Sequence, residues 1–214
     1  RLLQMFGPIP IIDQQYASNV DKGDIPGRSH FDYCVQYIDN LLTEAEASLP
    51  IQYANASDYG RATTLACKAI RARLYVLAAS PLWNGSFPSR TWKNTRWETP
   101  GYGYELVSHE YDRNKWVKAR DACLDAIELA EAAAHHLFNY DEPEIIRQNE
   151  NVDIPVIPGS SSTKFKKQVM MFRYLVTSRP DQGNKEIIWG IAPPASGIDD
   201  FRWAMGSLPH YILV

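Results

Sequence analysis

The chain has 214 residues, with 25 acidic and 22 basic side chains, a formal charge of −3, and 45% of its positions hydrophobic. That composition supports a packed core. So small a charge, with no run of Lys and Arg, argues against a nucleic-acid partner, and no stretch reaches the roughly 18 to 20 apolar residues of a membrane-spanning helix.

The chain opens Arg-Leu-Leu-Gln-Met-Phe and then Gly7-Pro8, which reads as the last turns of a helix, a glycine C-cap and a proline that forbids continuation. From Ser29, the residues Phe31, Cys34, Ile38, Leu41, Leu42, Ala45 and Leu49 recur at three and four positions, one face of a helix. Ser29-His-Phe-Asp32 resembles a capping box at its start, Leu49-Pro50 is a stop, and the face with Gln36, Asp39, Asn40, Glu44 and Glu46 reads as solvated. A second helix, about 61–79, is alanine-rich. Its polar stripe is narrow (Arg61, Lys68, Arg71, Tyr75), so most of its circumference is expected to be buried, and Arg73, off that stripe, calls for a buried partner. A third, about 114–135, places Trp116, Ala119, Cys123, Ile127, Ala130 and Ala134 inward, and a fourth, 164–177, does so with Phe165, Val169, Phe172 and Leu175 or Val176. Residues 185–190 are the one short run of strand character. The fold class is all-α, with helices packed as antiparallel hairpins like those of helical-repeat proteins. Cys34, Cys67 and Cys123, far apart on helical faces, read as small core residues.

Tryptophan and tyrosine, 6 and 12, outnumber the 7 phenylalanines, which favours rings with a hydrogen-bonding handle. Many fall in a first insertion, 80–113, where Trp83, Phe87, Trp92, Trp97, Tyr102, Tyr104 and Tyr111 alternate with Arg90, Lys93, Asn94 and Arg96. A second insertion, 191–209, carries Asp199, Asp200, Arg202 and Trp203. Long irregular connections in compact domains are usually functional or disordered, and this aromatic content argues against disorder. Sugars present apolar C–H faces and hydroxyl rims, so a site for them needs flat rings bordered by Asn, Asp or Arg. The candidate ligand-binding residues are therefore Trp92, Asn94, Arg96, Trp97 and Tyr102, with Asp199, Arg202 and Trp203 from the second insertion. The competing reading is that these rings pin the loops to the scaffold. Trp83 and Trp116, at helix ends, and Trp189, in an apolar run, read as packed. No nucleophile, zinc, phosphate-loop or dinucleotide motif is present, and the adjacent His135 and His136 point about 100° apart on a helix. No catalytic residue, cofactor or metal is assigned.

Several strings combine into a resemblance. Phe6-Gly-Pro-Ile-Pro-Ile11, Leu41 through Pro50, Gly60-Arg-Ala-Thr63 through Tyr75, Ser80-Pro-Leu-Trp-Asn-Gly85, the 116–130 helix and Asn184-Lys-Glu-Ile-Ile-Trp189 together resemble the SusD/RagB family. The resemblance runs along nearly the whole chain in the family's order. It implies a tetratricopeptide-like helical scaffold with irregular ligand-carrying loops, on a lipid-anchored protein at the outer surface of Bacteroidetes outer membranes. It implies a noncatalytic protein that binds an oligosaccharide or other nutrient and passes it to a SusC-like TonB-dependent transporter. The membrane would be met only through an N-terminal lipid anchor that this chain lacks. With a helix tail at one end and the apolar 208–214 at the other, residues 1–214 are expected to be one SusD-like domain, incomplete at both ends. A helical protein-interaction scaffold that binds no small ligand is the alternative.

Overall fold

The structure is a computed structural model that describes residues 1–21, 23–55, 58, 60–139, 141–149, 163–178 and 184–190. Among them the order is α1 (Leu2–Phe6), α2 (Phe31–Glu46), α3 (Thr64–Ala79), a 3-10 turn (Pro81–Trp83), α4 (Arg113–Ala132), α5 (Pro143–Asn149) and α6 (Thr163–Thr177). The class is all-α; among the described residues the extended pairings outside helices are two isolated bridges, Lys93 with Glu105 and Thr99 with Gly103. The chain divides into two compact units, Arg1–Gln52 with Thr63–Ala134, and Tyr53–Ala62 with His135–Val214.

In the first unit, α2, α3 and α4 pack in succession. Asp39 meets Arg71 and Tyr75 while Glu46 meets Arg71 and Lys68, so numbers rise along α2 as they fall along α3. Lys68 reaches Asp125 while Ala72 packs on Ala122 and Ala126, which makes α3 and α4 antiparallel as well. The starts of α2, α3 and α4 are each capped by a side chain. Thr63 accepts from the Ala66 amide (3.1 Å), Asp112 from Asn114 (2.8 Å), and His30 from Asp32 (3.1 Å). The cap of α2 is thus His30, one residue past the predicted Ser29. The core holds Leu3, Phe31, Cys34, Val35, Leu74, Ala78, Trp83 and Val107. Burial raises the pKa of the Cys34 and Cys67 thiols, which keeps them inert.

Three helical faces differ from expectation. The inward side of α4 is Ala119, Ala122 and Ala126, while Trp116 and Ile127 are 43% and 52% exposed. Alanine opposite alanine lets the α3 and α4 backbones close up, and a stripe led by Trp116 would hold them apart. On α3 the polar stripe is not a solvated margin but a seam between helices, and Ile70 and Val76 take the exposed side. Arg73 is exposed; the cation that needed a buried partner is Arg71. Its guanidinium donates to Asp39 (2.6 Å), Glu46 (2.5 Å) and Thr43 (2.9 Å) of α2. Asp39 also accepts from the Tyr75 hydroxyl (2.8 Å), and burial together with that carboxylate pushes the Tyr75 pKa up to about 12. Asp39 and Glu46 are accordingly not on a solvated face.

In the second unit, Phe138, Ile145 and Tyr174 form the core, the two rings meeting edge to face at 5.1 Å. The inward residue of α6 is Tyr174, whereas Phe172 and Val176 are 69% and 59% exposed. The run 185–190 is not a strand. Its segment works through polar groups: Asn184 donates to the carbonyls of Leu175 and Ser178 and accepts from Glu186 N, and Glu186 accepts from Phe138 N (2.8 Å). Trp189 is 52% exposed rather than packed, with its indole N–H donated to the Gly60 carbonyl (2.9 Å). Among the described residues no helix is long and apolar enough to cross a membrane.

Candidate functional site

The loop that leaves α3 and returns to α4 is tied at both ends by the string Ser80 to Gly85. Trp83 is buried against Phe31, their rings 4.2 Å apart and 5° from parallel. Asn84, 2% exposed, closes the loop by accepting from the Asp112 amide (2.8 Å) and donating to the Asp112 carbonyl (3.0 Å). At Gly85, φ is 96° and a Cβ would sit 2.8 Å from the Tyr111 amide nitrogen, so only glycine fits. From Trp83 the stack continues to Phe87 (5.5 Å) and on to Trp92 (5.0 Å), over which Arg28 sits at 5.7 Å. A ladder of rings therefore leads from the core to the surface.

Beyond Trp92 the two isolated bridges fold 93–105 back on itself, with the Asn94 amide donating to Tyr104 O (2.9 Å) and Thr99 to Gly103 O (2.7 Å). The candidate residues divide here. Trp92 is half-buried in the ladder, and the Asn94 side chain donates to the Arg28 carbonyl, so both hold the loop in place. Arg96 is exposed, with its guanidinium beside Gly23, and no ion pair to it occurs among the described residues. Trp97, 36% exposed, lies on the Gly27 backbone, where a Cβ would come within 2.6 Å of the indole. Tyr104 is 43% exposed, and the hydrogen bond from its hydroxyl to Glu98 raises its pKa. Asp199, Arg202 and Trp203 lie outside the described residues.

Tyr102 turns the other way, into an open cleft of about 150 Å³ in the first unit, shared with Asp32, Gln36, Tyr75, Lys115 and Lys118. Its ring is stacked on His30 at 4.0 Å and 12°, and its hydroxyl accepts from Gln36 (3.2 Å). Lys115 donates to Asp32 (2.6 Å) and to the Trp83 carbonyl (3.0 Å), while Lys118 has no ion pair among the described residues. The cleft offers an aromatic wall with a carboxylate, an amide, a phenol and an ammonium around it, donors and acceptors suited to a polyhydroxyl ligand. Gln36, Tyr75, Lys115 and Lys118 were not candidates on sequence grounds, because each lies on a helix, outside the aromatic insertion, and reads there as an ordinary polar position. The signal available was Asp32 and Gln36, four apart on one face of α2. Among the described residues, no group of three or more His, Cys, Asp or Glu is placed to hold a metal ion.

Comparison with solved structures adds an independent observation: over 91% of its length the chain superposes, at 43% identity and a TM-score of 0.79, on a protein of Bacteroides thetaiotaomicron. The chain is similar to BT4246. The selenomethionine form of BT4246 matches at the same identity with a TM-score of 0.76. In both, the match takes in 32% of the other chain, so this chain spans about a third of the length of BT4246. No protein-family model and no curated protein matches it.

Proposed function

We propose that the chain is the helical, ligand-carrying part of a SusD/RagB-type protein, a noncatalytic binder of oligosaccharide or another nutrient. On this reading it is lipid-anchored at the outer-membrane surface and delivers its ligand to a SusC-like TonB-dependent transporter. What carries the reading is one arrangement: a loop fastened to the helices by buried contacts that presents Trp97 and Tyr104 outward and Tyr102 into a polar cleft. The family strings, most of all Ser80 to Gly85, and the likeness to a Bacteroides protein support it. A ring held rigidly before the ligand arrives loses little entropy on binding, which suits recognition of a solvated sugar.

In the full-length protein, Trp97→Ala is expected to weaken oligosaccharide binding by roughly tenfold, about 1.4 kcal/mol, with an unchanged melting temperature. Isothermal calorimetry and tryptophan quenching across a panel of soluble glycans measure both. If no glycan gives heat or quenching, the scaffold reading takes over. That second reading has its own observation, the exposed stripe Trp116, Leu124 and Ile127 on α4, an apolar face of the kind that meets another protein.

A further inference from the structure

We propose that His30 is a positioning residue that holds Tyr102 and the turn 99–105 against the start of α2 as a latch, and that a proton opens it. The side chain is 2% exposed and several contacts converge on this residue. Its Nδ1 accepts the Asp32 amide (3.1 Å), its own amide donates to Thr99 Oγ1 (2.9 Å), and its ring carries Tyr102. Next to it, the Phe31 amide donates to Leu106 O (2.8 Å), so the loop's return strand is fastened at the same place.

An imidazole that accepts at Nδ1 is neutral, because the imidazolium ion has donors only. Protonation therefore sets two N–H groups against each other at the cap of α2 and places a charge in a site with little water. Asp32 on α2 and Glu105 in the turn favour the proton, Lys115 on α4 opposes it, and the phenol of Tyr102 stays neutral in this range. Burial is the largest influence and holds the His30 pKa below its ordinary 6.5. The unfolded chain thus takes up the proton more readily than the folded one. The latch has full strength above 6.5 and loses it as pH falls through the lower folded value. Since Tyr102 forms the aromatic wall of the cleft, opening would lower ligand affinity in acid. That consequence rests on the glycan reading; the latch does not.

Hydrogen exchange of the full-length protein without ligand, at about pH 7.5 and about pH 5 and corrected for intrinsic rates, tests it. The amides of Asn94, Thr99 and Tyr102, bonded to Tyr104 O, Gly103 O and Thr99 O, are expected to lose at least about tenfold in protection in acid while those of α3 keep theirs. His30→Asn, which retains a cap acceptor but does not titrate, is expected to abolish most of that pH dependence. Equal protection at both pH values, a parallel loss in α3, or an unaltered pH dependence in His30→Asn overturns the proposal. Should that variant fail to fold, the NMR titration of the His30 ring in the wild-type protein decides: its midpoint must coincide with loop opening, and a mismatch overturns the latch.

Discussion

Trp83→Ala is expected to cost about 3–5 kcal/mol of stability, close to the whole margin of many domains. Trp83 is 7% exposed, lies nearly parallel to Phe31, carries Phe87 on the ladder toward Trp92, and has Gly7 against its ring. Truncation leaves a cavity where three chain segments meet, and none can collapse into it without giving up its own contacts. The loop would lose its anchor together with the core. Urea unfolding measures this as a lower midpoint at unchanged slope, and Trp83→Phe, which keeps a ring on Phe31, should lose a minor part of the total. A cost under about 1 kcal/mol for Trp83→Ala would mean that the ladder does not hold the loop.

Arg71→Met is expected to cost roughly 2–4 kcal/mol at neutral pH, somewhat less than a fully buried pair because the carboxylates keep partial access to water. The guanidinium, its side chain 12% exposed, satisfies Asp39, Glu46 and Thr43 at once; the methionine leaves Asp39 without a cation and Glu46 with only the 3.9 Å contact to Lys68. Arg71→Lys should recover only part of the loss, since an ammonium cannot span three acceptors as a planar fork does. Thermal melts of both variants give the two numbers, and an Arg71→Lys protein as stable as wild type would show that the planar fork is not what holds α2 to α3.

Much of the helical scaffold was legible in the chain itself. The three- and four-residue spacing marked α2, α3, α4 and α6 to within a few residues, and the alanines of α3 allow a close approach, which the structure places at α4. Spacing tells which residues share a face, however, and not which neighbour that face meets. Arg71 and Arg73 differ by about 200° around α3, and only the position of α2 decides which one is enclosed. The inward side of α4 is turned toward its alanines for the same reason. Residues 185–190 have strand propensity, yet a strand needs a partner edge, and the segment instead satisfies its neighbours through Asn184 and Glu186. The candidate residues 92–102 were found by composition, which cannot separate a ring that recognises from one that anchors. Burial separates Trp92 from Trp97. The cleft residues of α2, α3 and α4 carried no such signal, since they converge only when three helices stand side by side.

The closure of the loop by Asn84 and Asp112 bears on how such a protein can change. With its two ends joined by hydrogen bonds within a few residues of α3 and α4, and with Leu106 and Val107 returned to the core, residues 93–105 are an excursion between two fixed points. Doubling the length of a flexible loop adds only about 0.6 kcal/mol of closure entropy. Segments of different length and chemistry can therefore be exchanged between the same two junctions while the helices keep their pairings. Ligand preference would then diverge quickly among relatives whose frameworks remain superposable, and a transplant cut at those junctions is the natural way to move a specificity from one protein to another.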